Sequence, residues 1–196
     1  MSLFPSAPGG AAAFSRSSLR IRRAAAVLPL LALPALAGCS LFDKTPPPPC
    51  PQIGILADAQ KMTVFRPGGK DITDVIYKAE VAAISGACKS ADGGKAIDMT
   101  VSLKLIATRG PASKGESIKL PYFVSVVDHQ SQQILAKSAF DSPLDFPSGA
   151  RRAGVVEEVS EHIPLTQGRK GPDYDVLVGL QLTPEQLKYN RQEGTE

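Results

Sequence analysis

The densest group of side chains able to do chemistry lies at residues 157–162, which read Glu-Glu-Val-Ser-Glu-His. Carboxylates and an imidazole bind metal ions or exchange protons when the fold brings them to one face. On a strand, Glu158, Ser160 and His162 share a face, whereas on a helix Glu158 and His162 lie one turn apart. The alternative is a solvated, charged edge that discourages pairing between molecules. The spacing over 155–163 fits a helix nearly as well as a strand, and we interpret it as a strand.

The other catalytic and binding motifs are incomplete. His129 is the only other histidine, and it lies in a predicted turn. The chain has no Gly-x-Ser-x-Gly elbow and no Ser-x-x-Lys with its companion motifs. Two Gly-Gly-Lys runs, at 68–70 and 93–95, lack the other positions of a phosphate-binding loop, and we interpret them as tight turns. We therefore expect no catalysis, no metal and no cofactor.

The N-terminus has the composition of a secretory signal. Arginines at positions 16, 20, 22 and 23 precede an apolar stretch over 24–36, and no acidic residue occurs before Asp43. The stretch has 13 residues, too few to span about 30 Å of hydrocarbon as a permanent helix. A basic flank, a short apolar stretch and small residues before a cleavage point predict a cleaved signal peptide over 1–38.

The last signal residues resemble a known processing motif. Leu36-Ala37-Gly38-Cys39 is similar to the lipobox of bacterial lipoproteins. The resemblance implies a diacylglyceryl thioether on Cys39, cleavage after Gly38 and acylation of the new amine. Because each buried methylene contributes about 0.8 kcal/mol, several acyl chains anchor a protein stably. Ser40, where Asp would retain such a protein at the inner membrane, favours the outer membrane facing the periplasm. The alternative is an ordinary secretory signal with a coincidental cysteine.

Removal of the signal changes the charge of the chain. It leaves 158 residues, enough for one domain with a real core. The net charge of +3 includes the four signal arginines, and without them 18 basic residues face 19 acidic ones. The mature chain is therefore near −1, and binding to nucleic acid loses its electrostatic basis.

Two cysteines, Cys50 and Cys88, remain once Cys39 is lipidated. An even pair in an oxidising compartment predicts a disulfide. Closing a loop of that length contributes about 4 kcal/mol on the chain-entropy model. The alternative is two free thiols or half of a metal site.

Two basic pairs, Arg151-Arg152 and Arg169-Lys170, are the candidates for contact with anions. If their loops meet at one end of the domain, they contact phosphates of lipopolysaccharide or anionic lipids. The alternative is scattered solvated charge. A sugar platform is disfavoured, because the chain has no Trp and its Tyr and Phe residues mostly occupy core-like strand positions.

Period-two alternation dominates the chain after residue 51 and predicts a mainly β fold. Strands are predicted at 52–57, 63–66, 74–85, 97–108, 122–128, 133–140, 155–163 and 174–182. Thr183-Pro184-Glu185-Gln186 predicts an N-cap with proline at the first position of a short C-terminal helix. This series of strands without βαβ alternation favours a single antiparallel two-sheet β-sandwich.

Two further resemblances concern the mature chain. Residues 172–178, Pro-Asp-Tyr-Asp-Val-Leu-Val, resemble the tyrosine-corner strand of immunoglobulin-like and fibronectin type III domains. That resemblance implies that Tyr174 bonds back to the preceding loop. The Cys-Pro start, the Asp-Ile-Thr-Asp turn and the Gln-Leu-Thr-Pro-Glu-Gln end resemble uncharacterised proteobacterial lipoproteins. This likeness implies a Gram-negative envelope and no particular activity.

The predicted organisation is a signal peptide (1–38), a lipidated cysteine with a Pro-rich tether (39–51), a β-sandwich (52–190) and a polar tail (191–196). Its expected partners are membrane lipid, through the Cys39 acyl chains, and another envelope protein. The sequence favours a non-catalytic interaction or envelope-assembly accessory module. The alternative is a lipid- or peptidoglycan-binding envelope protein. A docking module should expose an apolar patch or an unpaired edge strand, and a ligand carrier should contain a deep apolar cavity.

Overall fold

The computed structural model describes residues 48–115, 117–166 and 168–193. The predicted signal peptide, Cys39 and most of the tether lie outside the described residues. Eight strands and one α-helix make up a mainly β fold, as predicted. The strands are β1 (Gln52–Ile55), β2 (Lys61–Phe65), β3 (Val75–Ala91), β4 (Ala96–Arg109), β5 (Ser117–Asp128), β6 (Ile134–Asp145), β7 (Arg152–Pro164) and β8 (Tyr174–Leu180), and the helix is α1 (Pro184–Glu193).

The strands form two four-stranded sheets that pack as a sandwich, which confirms the predicted architecture. One sheet has the strand order β1-β8-β5-β6, and the other has the order β2-β3-β4-β7. All pairs are antiparallel except β1 and β8, which run parallel with Gln52 opposite Asp175. The parallel pair departs from the expected all-antiparallel arrangement. β1 and β8 are the first and last strands of the domain in sequence, so no tight turn between them fixes their relative direction.

The core lies between the sheets, and β4 shows how the sequence pattern produces it. Met99, Val101, Leu103 and Leu105 alternate with polar neighbours, and each is at most 2% exposed. Val124, Val176, Val178 and Leu180 of the opposite sheet have no measurable exposure. Side chains on one pleated face point the same way, so this alternation buries one face of each sheet against the other.

The ambiguous segment over 155–163 is a strand. It belongs to β7, which pairs with β4 from Ala96 opposite Pro164 to Thr108 opposite Arg152. Val159 and Ile163 are buried, whereas Glu158, Ser160 and His162 share the exposed outer face. The thirteen-residue pairing satisfies the backbone of β7 on one side, and that tertiary interaction decides against the helix.

Three strands extend at least five residues beyond the predicted ranges, and β7 also begins earlier than predicted, at Arg152. β3 continues to Ala91, β5 begins at Ser117, and β6 continues to Asp145. Pro121 in β5 and Pro143 in β6 interrupt the sequence pattern that is typical of a strand. Pro121 lies just beyond the last pairing of β5 with β8, Tyr122 opposite Leu180, so its missing N–H leaves no gap in that ladder. Pro143 lies in β6, an edge strand.

The C-terminal helix begins as the sequence predicts. Gln186 N donates to Thr183 Oγ1 at 3.2 Å, and Thr183 N donates to Gln186 Oε1 at 2.8 Å, which completes a capping box. The helix contacts β2 and the turn before it, where Asn190 Nδ2 donates to the carbonyl oxygens of Asp58 and Lys61. It extends to Glu193, so residues 191–193 of the predicted tail are helical.

Tyr174 makes the backbone contact that its resemblance implies. Its buried hydroxyl donates to the carbonyl oxygen of Pro164, the last residue of β7, at 3.3 Å. We expect Tyr174→Phe to lower the free energy of unfolding by about 1 kcal/mol, because the hydrogen bond from the buried tyrosine to the Pro164 carbonyl oxygen is lost. Urea unfolding followed by circular dichroism measures the change. Tyr77→Phe is the control, since that hydroxyl makes an exposed contact at 3.4 Å and its loss should cost less. Equal stability of wild type and Tyr174→Phe would contradict the prediction.

Candidate functional site

The end of the sandwich that receives the N-terminal segment is the first candidate site, and we call it the tether end. It comprises residues 48–51, the turn over 92–95, the turn over 129–133 and the loop over 165–173. Strand register brings these segments together. Ala96 lies opposite Pro164, and Tyr174 lies opposite Asp128 while its hydroxyl reaches Pro164. Strand ends and turns of both sheets therefore lie together at this end of the molecule.

A disulfide fixes the incoming chain at the tether end. Cys50 and Cys88 are joined with their Cα atoms 5.8 Å apart, which confirms the predicted bond. The loop before β8 holds the same segment from the other side. A Cβ built on Gly171 would lie 1.9 Å from the carbonyl oxygen of Pro49, so only glycine permits this approach. The chain therefore joins the sandwich at a defined point.

An open cleft of about 680 Å³ lies beside this attachment point. Its apolar wall includes Pro48, Pro49, Ile97 and Leu165. Its basic side chains are those of Lys95, Arg169 and Lys170. The cleft combines apolar carbon with positive charge, a combination that suits amphipathic or anionic groups.

Arg169 is committed to internal contacts. Its guanidinium pairs with Asp128 Oδ2 at 2.6 Å, donates to the carbonyl oxygen of Asp173 at 2.6 Å, and lies over the ring of Tyr174. Asp128 also accepts hydrogen bonds from the backbone of the β5–β6 turn. The Ser131 N–H and the Arg169 guanidinium lower the pKa of Asp128 to about 2. Arg169 thus ties two loops together, and its charge is already balanced.

The structure does not bring the two basic pairs together. Arg151 and Arg152 precede and begin β7, whereas Arg169 and Lys170 follow its end. Thirteen residues at about 3.3 Å each separate the two pairs by some 40 Å. Arg152 also pairs with Glu80 at 3.0 Å. The expected single anionic contact surface therefore does not form, and Lys170 alone of the four is an unpaired cation at the tether end within the described residues.

Sequence reasoning missed a second cleft, between α1 and the outer face of the β2-β3-β4-β7 sheet. It measures about 800 Å³, and its polar wall includes Lys61, Lys78, Glu80 and Arg152. Tyr189 lines the same cleft, and its ring meets that of Phe65 edge-on at 5.3 Å. No sequence signal shows that the helix packs here, because its contacts are distant in sequence and depend on Asn190.

The predicted histidine–carboxylate cluster forms with different partners. His162 Nδ1 lies 2.7 Å from Asp98 Oδ1, its direct neighbour across β4 and β7, and Nε2 lies 3.4 Å from Asp92. Lys89 contacts the same Asp98 at 3.7 Å. The group is an exposed cross-strand ion network at the tether end. No set of three or more His, Cys, Asp or Glu in the described ranges is arranged to hold a metal ion.

This network predicts a pH-dependent stability. The hydrogen bond to Asp98 raises the pKa of His162 above its ordinary 6.5, so its stabilisation is complete below 6.5 and is lost as pH rises through the raised pKa. His162 lowers the pKa of Asp98 below 3.8, so that contribution is present above 3.8 and is lost as pH falls through the lowered pKa. The wild type should therefore exceed His162→Gln in stability most between pH 3.8 and pH 6.5, and the difference should disappear at alkaline pH.

Urea midpoints of the two proteins across this pH range measure the effect. His129→Gln is the matched control. It removes a histidine from the same end of the molecule but leaves the contacts of His162 intact, since His129 pairs with Asp175 on the other sheet. A wild-type advantage that grows with alkaline pH would contradict the assigned pairing.

A buried guanidinium marks the opposite end of the sandwich, which we call the distal end. Arg109 Nε and Nη2 are buried and lack a hydrogen-bond partner. The guanidinium instead lies 4.7 Å from the ring centroid of Phe146. This stacking offsets part of the cost of burying the charge. Neither of the two clefts described above is lined by Arg109.

Comparison with known proteins identifies no relative. No protein-family model, no curated protein and no solved structure matches the chain. In the described part of the chain, no helix is both long and apolar enough to span a membrane.

Proposed function

We propose that the chain is a lipoprotein of a Gram-negative envelope, anchored through acyl chains on Cys39 and facing the periplasm from the outer membrane. Its β-sandwich acts without catalysis, as an interaction or assembly module that docks onto another envelope protein. The observation that carries this proposal is the attachment of the chain at the tether end. There the disulfide and Gly171 hold residues 49–50, eleven residues after the lipobox cysteine. Such a fixed attachment suits a domain displayed from a lipid anchor.

One side of the sandwich supports docking. β6 and β7 are the edge strands of their sheets, with 12 and 13 residues, and Ser142 Oγ of β6 donates to Glu157 of β7. Val156 on β7 is 60% exposed. Edge strands of this length offer backbone donors and acceptors to an added strand. Glu157 and the half-buried Glu161 introduce negative charge along the same side, which opposes self-association.

The anchor is tested first by mass spectrometry of the N-terminal peptide from membranes. The proposal expects a peptide that begins at Cys39 and carries acyl chains, and expects Cys39→Ser to release the protein into the soluble periplasmic fraction. An unmodified Cys39 would overturn the lipoprotein assignment.

The docking role is tested by cross-linking and pulldown of the anchored protein, with Cys39→Ser as the control. One stoichiometric envelope protein, lost or weakened in the control, supports the accessory role and names its pathway. If neither sample enriches a protein, docking is rejected.

The second candidate is a lipid- or peptidoglycan-binding envelope protein. The polar cleft against α1 favours it, because Lys61 and Lys78 there are cations that suit carboxylates of a cell-wall peptide. Co-sedimentation with purified peptidoglycan tests this role. Lys78→Glu should reduce the sedimented fraction, whereas Lys119→Glu, on β5 and outside the cleft, should not.

A further inference from the structure

We infer that the tether end rests on the lipid surface, with Ile134 and Leu135 in the membrane interface and Lys95 and Lys170 on phosphate headgroups. This inference rests on the lipid anchor of the proposed function and adds an orientation and a second, reversible membrane contact. It concerns one occupant, the bilayer that holds the Cys39 acyl chains.

The length of the tether sets which end meets the membrane. Eleven residues separate Cys39 from Cys50, so covalent geometry limits their span to about 40 Å. The sandwich is also about 40 Å long along β7. The distal end could touch the bilayer only if the tether were almost fully extended beside the domain. The tether end reaches the bilayer without that loss of chain entropy.

Two apolar side chains are exposed at the tether end. Ile134 is 65% exposed and Leu135 is 51% exposed, where β6 leaves the β5–β6 turn. The strand register slips here, because Val127 lies opposite Ile134 while Val126 lies opposite Ala136. Leu135 is therefore the extra residue of a bulge, which places two neighbouring apolar residues on the surface. Moving exposed apolar side chains next to an acyl anchor into the membrane interface lowers the free energy of the system.

Two lysines at this end have no acidic partner in the described part of the chain. Of the carboxylates there, Asp92 and Asp98 pair with His162, Asp128 with Arg169 and Asp175 with His129, whereas the exposed Asp173 accepts a hydrogen bond from the Lys170 backbone N–H. Lys95 and Lys170 are exposed and form no ion pair among the described residues. Both line the cleft whose apolar wall includes Pro48 and Leu165. Two free lysines beside apolar carbon match the phosphates and acyl boundary of a membrane surface.

The absence of tryptophan from the chain allows a direct test. The full lipidated protein carrying Leu135→Trp is reconstituted into vesicles of phosphatidylethanolamine and phosphatidylglycerol with brominated acyl chains. Its matched control is Ile72→Trp, on the 71% exposed residue of the distal end. Contact with the interface quenches a tryptophan through the bromine atoms. We expect quenching of Leu135→Trp to exceed that of Ile72→Trp about threefold or more, since interfacial residues lie some 5–10 Å deep.

Charge reversal tests the headgroup contact in the Leu135→Trp protein. Lys95→Glu with Lys170→Glu should lower the ratio of docked to undocked protein about 30-fold or more, because the attraction of two lysines to the anionic surface is lost and two carboxylates are added. The control pair Lys70→Glu and Lys114→Glu, in the distal loops, should leave the quenching unchanged. Undiminished quenching after Lys95→Glu with Lys170→Glu overturns the assigned headgroup contact.

Vesicle flotation separates the possible failures. Protein that floats while Leu135→Trp is no more quenched than Ile72→Trp retains its anchor and overturns the orientation inferred here. Protein that does not float has no acyl anchor, which overturns the proposed function and this inference together.

Discussion

Replacing both Cys50 and Cys88 by serine is expected to lower the free energy of unfolding by about 4 kcal/mol, because 38 residues separate the two positions. In the chain-entropy description, the disulfide restricts the unfolded chain, and its removal restores that freedom. The bond also ties residue 50 to the second half of β3, which pairs with β4 but lies beyond the last pairing of β3 with β2. Urea unfolding under oxidising conditions measures the change.

Reductant provides the control for this prediction. Dithiothreitol should lower the urea midpoint of the wild type towards that of the double serine variant and should not change the variant. A double variant as stable as oxidised wild type would show that the bond adds nothing to the fold. The attachment of the tether would then depend on Gly171 and its contact with Pro49.

Leu105→Ala is expected to lower the free energy of unfolding by about 3 kcal/mol, which combines the lost transfer free energy with the cost of a cavity. Leu105 is wholly buried in β4, where Val81 and Val155 lie opposite it on the two neighbouring strands. Strands on both sides limit how far the site can collapse around the smaller side chain. Urea unfolding measures the loss.

Leu135→Ala is the matched control, since it removes the same atoms from a residue that is 51% exposed. Its effect should stay within about 0.5 kcal/mol. A comparable loss from both substitutions would contradict the assignment of Leu105 to the core.

Local sequence signals predicted much of the fold correctly. The alternation through Met99, Val101, Leu103 and Leu105 predicts the buried face of β4, because successive side chains of a strand point to opposite sides. The capping residues Thr183 and Gln186 predict the start of α1, because they hydrogen-bond within one turn. These features depend on residues a few positions apart, so the sequence displays them directly.

The candidate site was harder to predict. Counting cysteines predicts the bond between Cys50 and Cys88, but the position of that bond at the tether end depends on the whole sandwich. The sequence identifies Arg169 and Lys170 as cations without showing that Asp128 neutralises Arg169. It also gives no sign that Lys95 joins Lys170 at one cleft, because these residues lie on different loops.

The sequence by itself determined the β class of the domain, its alternating core, the helix start and the cysteine pair, since each follows from local periodicity or composition. Only the tertiary structure decided that 155–163 is a strand, that β1 runs parallel to β8, and that the two basic pairs lie at opposite ends of β7. Each of these depends on pairing between distant segments. Backbone hydrogen bonds and side-chain burial decide such pairing once the chain has collapsed, and a local pattern carries no record of it.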